Sequence, residues 1–117
     1  MRIKDFRELN IWKLGKQIVL DTYKATKGFP KDELFGLTSQ MRRAAVSIPS
    51  NIAEGFNRSY TKEYQRYLSI ALGSCGELET HVEIACDLAY LGVDEKEQLL
   101  ENIGHEARML RTLIKKL

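Results

Sequence analysis

The chain has 117 residues, room for one domain. With 44% hydrophobic and 29% charged residues it is too apolar for a disordered segment, and no apolar run approaches the roughly 20 residues that span a bilayer. The net charge of +2 is unevenly spread: residues 1–59 carry eleven Lys/Arg against six Asp/Glu, and residues 60–117 carry seven against ten.

The opening, Met1 to Asn10, is charged and lacks the apolar stretch of a secretion signal. A first helix is predicted from about Glu8 to Thr26, because Ile11, Leu14, Ile18, Thr22 and Ala25 recur at three- and four-residue steps. Gly28, Phe29 and Pro30 end it: glycine suits a helix C-terminal cap, and the residue before proline resists the α region. After a short turn at Lys31 to Gly36, a second helix is predicted over Leu37 to Phe56, with Thr38 or Asp32 as its N-cap. Pro49 falls inside its apolar line of Leu37, Met41, Ala44, Ala45, Ile48, Ile52 and Phe56. The line keeps its phase across the proline, so a kinked helix is expected rather than two helices.

The third helix is predicted to run from Thr61 to Leu91, about 45 Å at the α-helical rise, with Gly92 capping it. Its stripe runs from Tyr64 and Leu68 through Cys75 and Leu78 to Ala89. Gly73 and Gly76 are expected to permit close backbone approach. Asp94 starts the fourth helix, with Glu97 completing a capping-box pattern. Strand-like alternation, repeats and long linkers are all missing from the sequence. Four amphipathic helices with short connections bury their stripes against each other, which predicts an all-α fold, an antiparallel up-and-down four-helix bundle, as one domain over 1–117.

Little in the sequence points to catalysis. There is no phosphate-binding glycine loop, dinucleotide fingerprint or nucleophile elbow. The histidines, His81 and His105, each follow a glutamate (Glu77, Glu101) by four residues, where bundle di-metal sites use a spacing of three. Both are read as lying beside the apolar stripes, so surface Glu–His pairs are expected and no metal or cofactor. Cys75 and Cys86 lie 11 residues apart on one helix, about 16 Å, too far for a disulfide. They read as small buried hydrophobes in a reduced, cytoplasmic protein.

The densest polar pattern is in the second helix. Arg43, Ser47, Ser50 and Glu54 step by four, three and four, with Gln40, Asn51 and Arg58 alongside. One reading is a structural network of Arg43, Ser47, Asn51 and Glu54 that ties the helix to a neighbour; the other is phosphate binding, since arginine presents a planar fork of donors. A second basic line on the first helix holds Lys13, Lys16, Lys24 and Lys27. Tyr60, Tyr64 and Tyr67 lie near Arg58, Lys62 and Arg66, a mixture of rings and cations that either stacks bases or simply packs. Lys13, Lys16, Arg42, Arg43 and Arg58 are the candidate nucleic-acid contacts.

The run from Gly36 to Gly55, and within it Pro49-Ser50-Asn51-Ile52-Ala53-Glu54-Gly55, resembles the signature of the 23S ribosomal RNA intervening-sequence protein family. So do Tyr67 to Ser74, Glu77 to Thr80, and the opening Phe6 to Leu9 with Trp12, so the resemblance covers nearly the whole chain. It implies a four-helix bundle that assembles as a homo-oligomer, in some members a ring-like pentamer. Relatives among the accessory proteins of diversity-generating retroelements work with a reverse transcriptase and bind nucleic acid through a basic surface. No catalytic residues come with the resemblance. The expected partners are therefore further copies of the chain, RNA or DNA, or a protein, and no membrane.

Overall fold

A computed structural model describes residues 2–117. The described residues are all-α, with four helices: α1 (Asn10–Thr26), α2 (Leu37–Phe56), α3 (Thr61–Asp87) and α4 (Val93–Lys116). Short 3-10 turns at Phe6–Glu8 and Lys31–Glu33 precede α1 and α2. The molecule measures 44 × 25 × 19 Å, its long axis set by α3, whose 27 residues extend about 40 Å.

Each helix packs on its sequence neighbours, and α1 closes the bundle against α4. The contacts run in opposite order along neighbouring helices. Arg42 near the start of α2 donates from Nε to Thr26 Oγ1 at the end of α1 (2.9 Å), whereas Pro49 lies against Gly15. Arg58, just past α2, reaches Tyr67 near the start of α3, and Ser47 meets Ser74 at mid-height. Gln65 of α3 donates to the Ile114 carbonyl near the end of α4 (3.1 Å), while Lys96 pairs with Glu83 at the other end (3.2 Å). Successive helices therefore run up and down.

The core is the set of stripes anticipated from periodicity: Ile11, Ile18, Met41, Ile48, Ile52, Leu68, Leu78, Val82, Ile103 and Leu110 are all buried. Helix α2 continues unbroken through Pro49. The close backbone approaches lie elsewhere than expected. A Cβ at Gly73 or Gly76 would meet nothing within 4 Å, whereas one at Gly55 would lie 2.7 Å from the Tyr67 Cβ. Gly55 is thus the point where α2 and α3 draw together, because any side chain there would push them apart.

The helix ends differ from the sequence reading in four places. Helix α3 stops at Asp87, not Leu91. Tyr90 N donates to Ala85 O and Ala89 N to Cys86 O, both at 2.9 Å, closing the turn around Ala89, whose φ of 64° is left-handed. The turn lets Leu91 fold back into the core, which a continued helix would not. Gly92 then becomes the N-cap of α4, and its N–H donates to Glu95 Oε1 (3.2 Å), two residues earlier than the expected Asp94 and Glu97. At α2 neither Thr38 nor Asp32 caps; Thr38 is buried within the helix, and Glu33 Oε1 accepts from Leu37 N (3.1 Å). Finally, no described glycine has a positive φ, so Gly28 ends α1 without the left-handed cap.

Candidate nucleic-acid interface

The up-and-down path sorts charge by end, something the linear sequence conceals. The starts of α1 and α3 share one end of the bundle with the finishes of α2 and α4. Divided at mid-height, that half comprises residues 2–17, 47–74 and 105–117 and carries twelve Lys/Arg against five Asp/Glu, a net +7. The other half, residues 18–46 and 75–104, carries six against eleven, a net −5. The two together recover the +2 of the chain.

Two of the candidate residues, Lys13 and Lys16, are exposed on the first turns of α1 at the basic end. Arg58 joins them there but is engaged: its Nη2 donates to Glu54 Oε2 (3.0 Å) and to the Tyr67 hydroxyl (2.9 Å). That carboxylate raises the guanidinium's pKa further and offsets part of its charge. Arg2, Lys4, Lys62, Arg66, Arg108, Arg111, Lys115 and Lys116 complete the end, all exposed and, like Lys13 and Lys16, without an ion pair to the described residues. The α4 cations escaped the sequence reading because only the packing of α4 back along α1 brings them to the end that holds Lys13. A signal was present: basic residues gather in the last turn of α4, where they complement the helix dipole.

Arg42 and Arg43 lie at the opposite end. The Arg42 guanidinium covers the Tyr23 ring (4.6 Å) while its Nε bonds Thr26. Arg43 is exposed and lines a cleft of about 720 Å³ with Tyr23, Leu34, Phe35 and Val46. The five candidate cations thus form two groups rather than one surface. The anticipated polar network divides in the same way. Asn51 Nδ2 donates to both the carbonyl (2.8 Å) and the hydroxyl (2.9 Å) of Ser47, and Ser74 donates to that hydroxyl (2.9 Å), fastening α2 to α3. Glu54 holds Arg58 instead, and Arg43 takes no part.

The three tyrosines also separate. Tyr64 is half-buried edge-on to Phe56, with centroids 6.0 Å apart. Tyr67 lies within 5.1 Å of the Arg58 and 4.9 Å of the Arg66 guanidinium. Tyr60 is 71% exposed. Of the groups weighed for chemistry, His81 is buried in the core rather than beside it, with Nε2 3.9 Å from Glu77 Oε2. Cys75 is buried and its thiol is pushed up to about 12 by burial, which makes it a poor nucleophile; Cys86 is only partly buried.

The profile of the family described as "23S rRNA-intervening sequence protein" matches residues 7–112, almost the whole bundle. The chain belongs to that family. No enzymatic family is indicated. Among solved structures the protein is similar to one from Bacteroides thetaiotaomicron, described as a protein of unknown function from the S23 ribosomal protein family. That likeness has a TM-score of 0.81 at 20% identity, covering 90% of this chain and 98% of the other, and it speaks for the fold alone. Comparison with curated proteins finds no match. No helix among the described residues is long and apolar enough to cross a membrane.

Proposed function

We propose that this family member is a non-catalytic bundle that binds nucleic acid through its basic end and acts as a homo-oligomer. The observation that carries the reading is the segregation of charge: ten exposed cations without ion pairs among the described residues gather at one end, while acidic residues collect at the other. A chain of net charge +2 has little pull on a polyanion as a whole, but an end of net +7 has a local one. Rotational symmetry about an axis along the bundle would set every copy's basic end on the same face and multiply the field. The resemblance that implies a pentamer supports such a ring.

Filter binding over a salt series tests this. The expected result is binding at low salt that weakens steeply and linearly on a log–log scale, with Lys13→Gln/Lys16→Gln flattening the slope. Absence of binding at low salt, or a slope unmoved by the double variant, overturns it.

A specific observation favours a second contact. Phe35 is 93% exposed, and with Leu34 (50%), Tyr23 (41%) and Val46 (39%) it leaves an apolar patch at the far end, flanked by Arg42 and Arg43. Such a patch suits protein docking, whether of another copy or of a protein partner. Both uses are compatible, because patch and basic end lie at opposite ends of the molecule.

A further inference from the structure

We infer that the basic end is built for single-stranded rather than duplex nucleic acid, with Tyr60 as the ring on which a base stacks. The inference rests on the nucleic-acid reading above and narrows it to one class of strand.

Aromatic rings are interleaved with the cations at this end. Phe6 lies under Arg7 (4.4 Å), Trp12 under Lys16 (5.5 Å), and Tyr67 beside Arg58 and Arg66; only one further ring–cation pair, Tyr23 with Arg42, occurs at the other end among the described residues. Each of these rings already has a partner. Tyr60 has none: its hydroxyl makes no hydrogen bond to the described residues, and most of its surface is open to solvent. Its mount is nonetheless firm. The backbone is extended (φ −115°, ψ 137°), and its carbonyl accepts from Tyr64 N (3.1 Å) as α3 begins. An exposed ring on a fixed backbone, two residues along the chain from the unpaired Lys62, is placed to receive a base whose phosphate lies on that ammonium.

Strand type decides whether that ring is used. In a duplex the base faces are covered by their neighbours, so Tyr60 gains nothing unless the stack is opened. In a single strand every base offers a free face, and aromatic stacking holds it without regard to sequence. A purely electrostatic surface would instead favour the duplex, whose charge density is higher. Preference for the single strand is therefore diagnostic of stacking.

The test is fluorescence anisotropy on the full chain at one low salt concentration. The probes are a mixed-sequence single-stranded RNA, the matching DNA strand, and the duplex of that DNA. The expected result is tighter binding of both single strands than of the duplex. Tyr60→Ala should weaken single-strand binding by roughly five- to hundredfold and change duplex binding by less than about twofold, whereas Tyr60→Phe should retain it. Tyr60 is exposed, so Tyr60→Ala should keep the helical content and melting temperature of the parent, and circular dichroism checks this. Equal or tighter duplex binding, or single-strand binding unmoved in Tyr60→Ala, overturns the inference while leaving nucleic-acid binding intact. No binding of any probe removes the proposed function and this inference together.

Discussion

Glu106 buries its carboxyl against Gly15: a Cβ on that glycine would lie 3.0 Å from Oε2. The side chain of Glu106 is fully buried on α4, and neither oxygen finds a hydrogen-bond partner among the described residues. Burial pushes its pKa up from 4.5 to about 8, so the folded chain holds the proton at neutral pH. Between those two values the unfolded chain binds fewer protons than the folded one, so stability falls as pH rises from about 4.5 to about 8 and then levels off. The loss by pH 7 is on the order of 3 kcal/mol. Glu106→Gln should remove that slope, and Glu106→Met should be the more stable protein at pH 7 and above. Urea titrations of parent and variants at pH 5, 7 and 8.5 measure this; parallel pH profiles for parent and Glu106→Gln would refute it.

The glycines of α2 and α3 should respond in opposite directions to alanine. Gly73 and Gly76 face open space, so Gly73→Ala and Gly76→Ala should each stabilise by about 1 kcal/mol through helix propensity. Gly55→Ala places a methyl against the Tyr67 Cβ and should destabilise by about 1–3 kcal/mol through overpacking. Thermal melts of the three variants compare them directly. Destabilisation by Gly73→Ala would mean that α3 has a partner on that face.

Ala89 carries the left-handed conformation that closes α3, which is unfavourable for any residue with a Cβ. Ala89→Gly should raise stability by roughly 1 kcal/mol, and a β-branched Ala89→Val should lower it by at least as much. Chemical denaturation reads both. An Ala89→Gly variant weaker than the parent would contradict the turn.

If copies meet through the apolar patch, Phe35→Asp should dissociate them. Phe35 contributes almost nothing to the intramolecular core, so helical content and monomer stability should stay within about 0.5 kcal/mol of the parent. Light scattering of parent and variant at equal concentration counts the subunits. An oligomer unchanged by Phe35→Asp would place the contact elsewhere.

Periodicity carried most of the fold, because a buried stripe leaves the same trace in sequence whatever its partner. The second helix kept its bounds, Leu37–Phe56, despite Pro49. What the sequence could not convey depended on partners distant along the chain. Leu91 looked like the tail of α3, yet its burial requires the turn at Ala89 that swings it inward. Glu106 lies in an α4 stripe position next to Ala107, and nothing local says that Gly15 opens a space for it. Gly55 and Gly73 are both helical glycines, and only what packs across from each, Tyr67 against Gly55 and nothing against Gly73, tells them apart. Likewise Arg43 heads the polar stripe that Arg58 lies alongside, but α2 delivers the two to opposite ends.

A molecule positive at one end and negative at the other is, from a distance, an electric dipole along its longest axis. It turns as it approaches a polyanion and arrives basic end first, before any side chain makes contact. Copies set side by side in the same orientation repel through those dipoles, whereas copies in opposite orientation attract. A ring with all its basic ends on one face would therefore be under lateral strain when empty, and a strand laid across that face would relieve it. Binding and assembly would then each favour the other by the same free energy, as thermodynamic linkage requires.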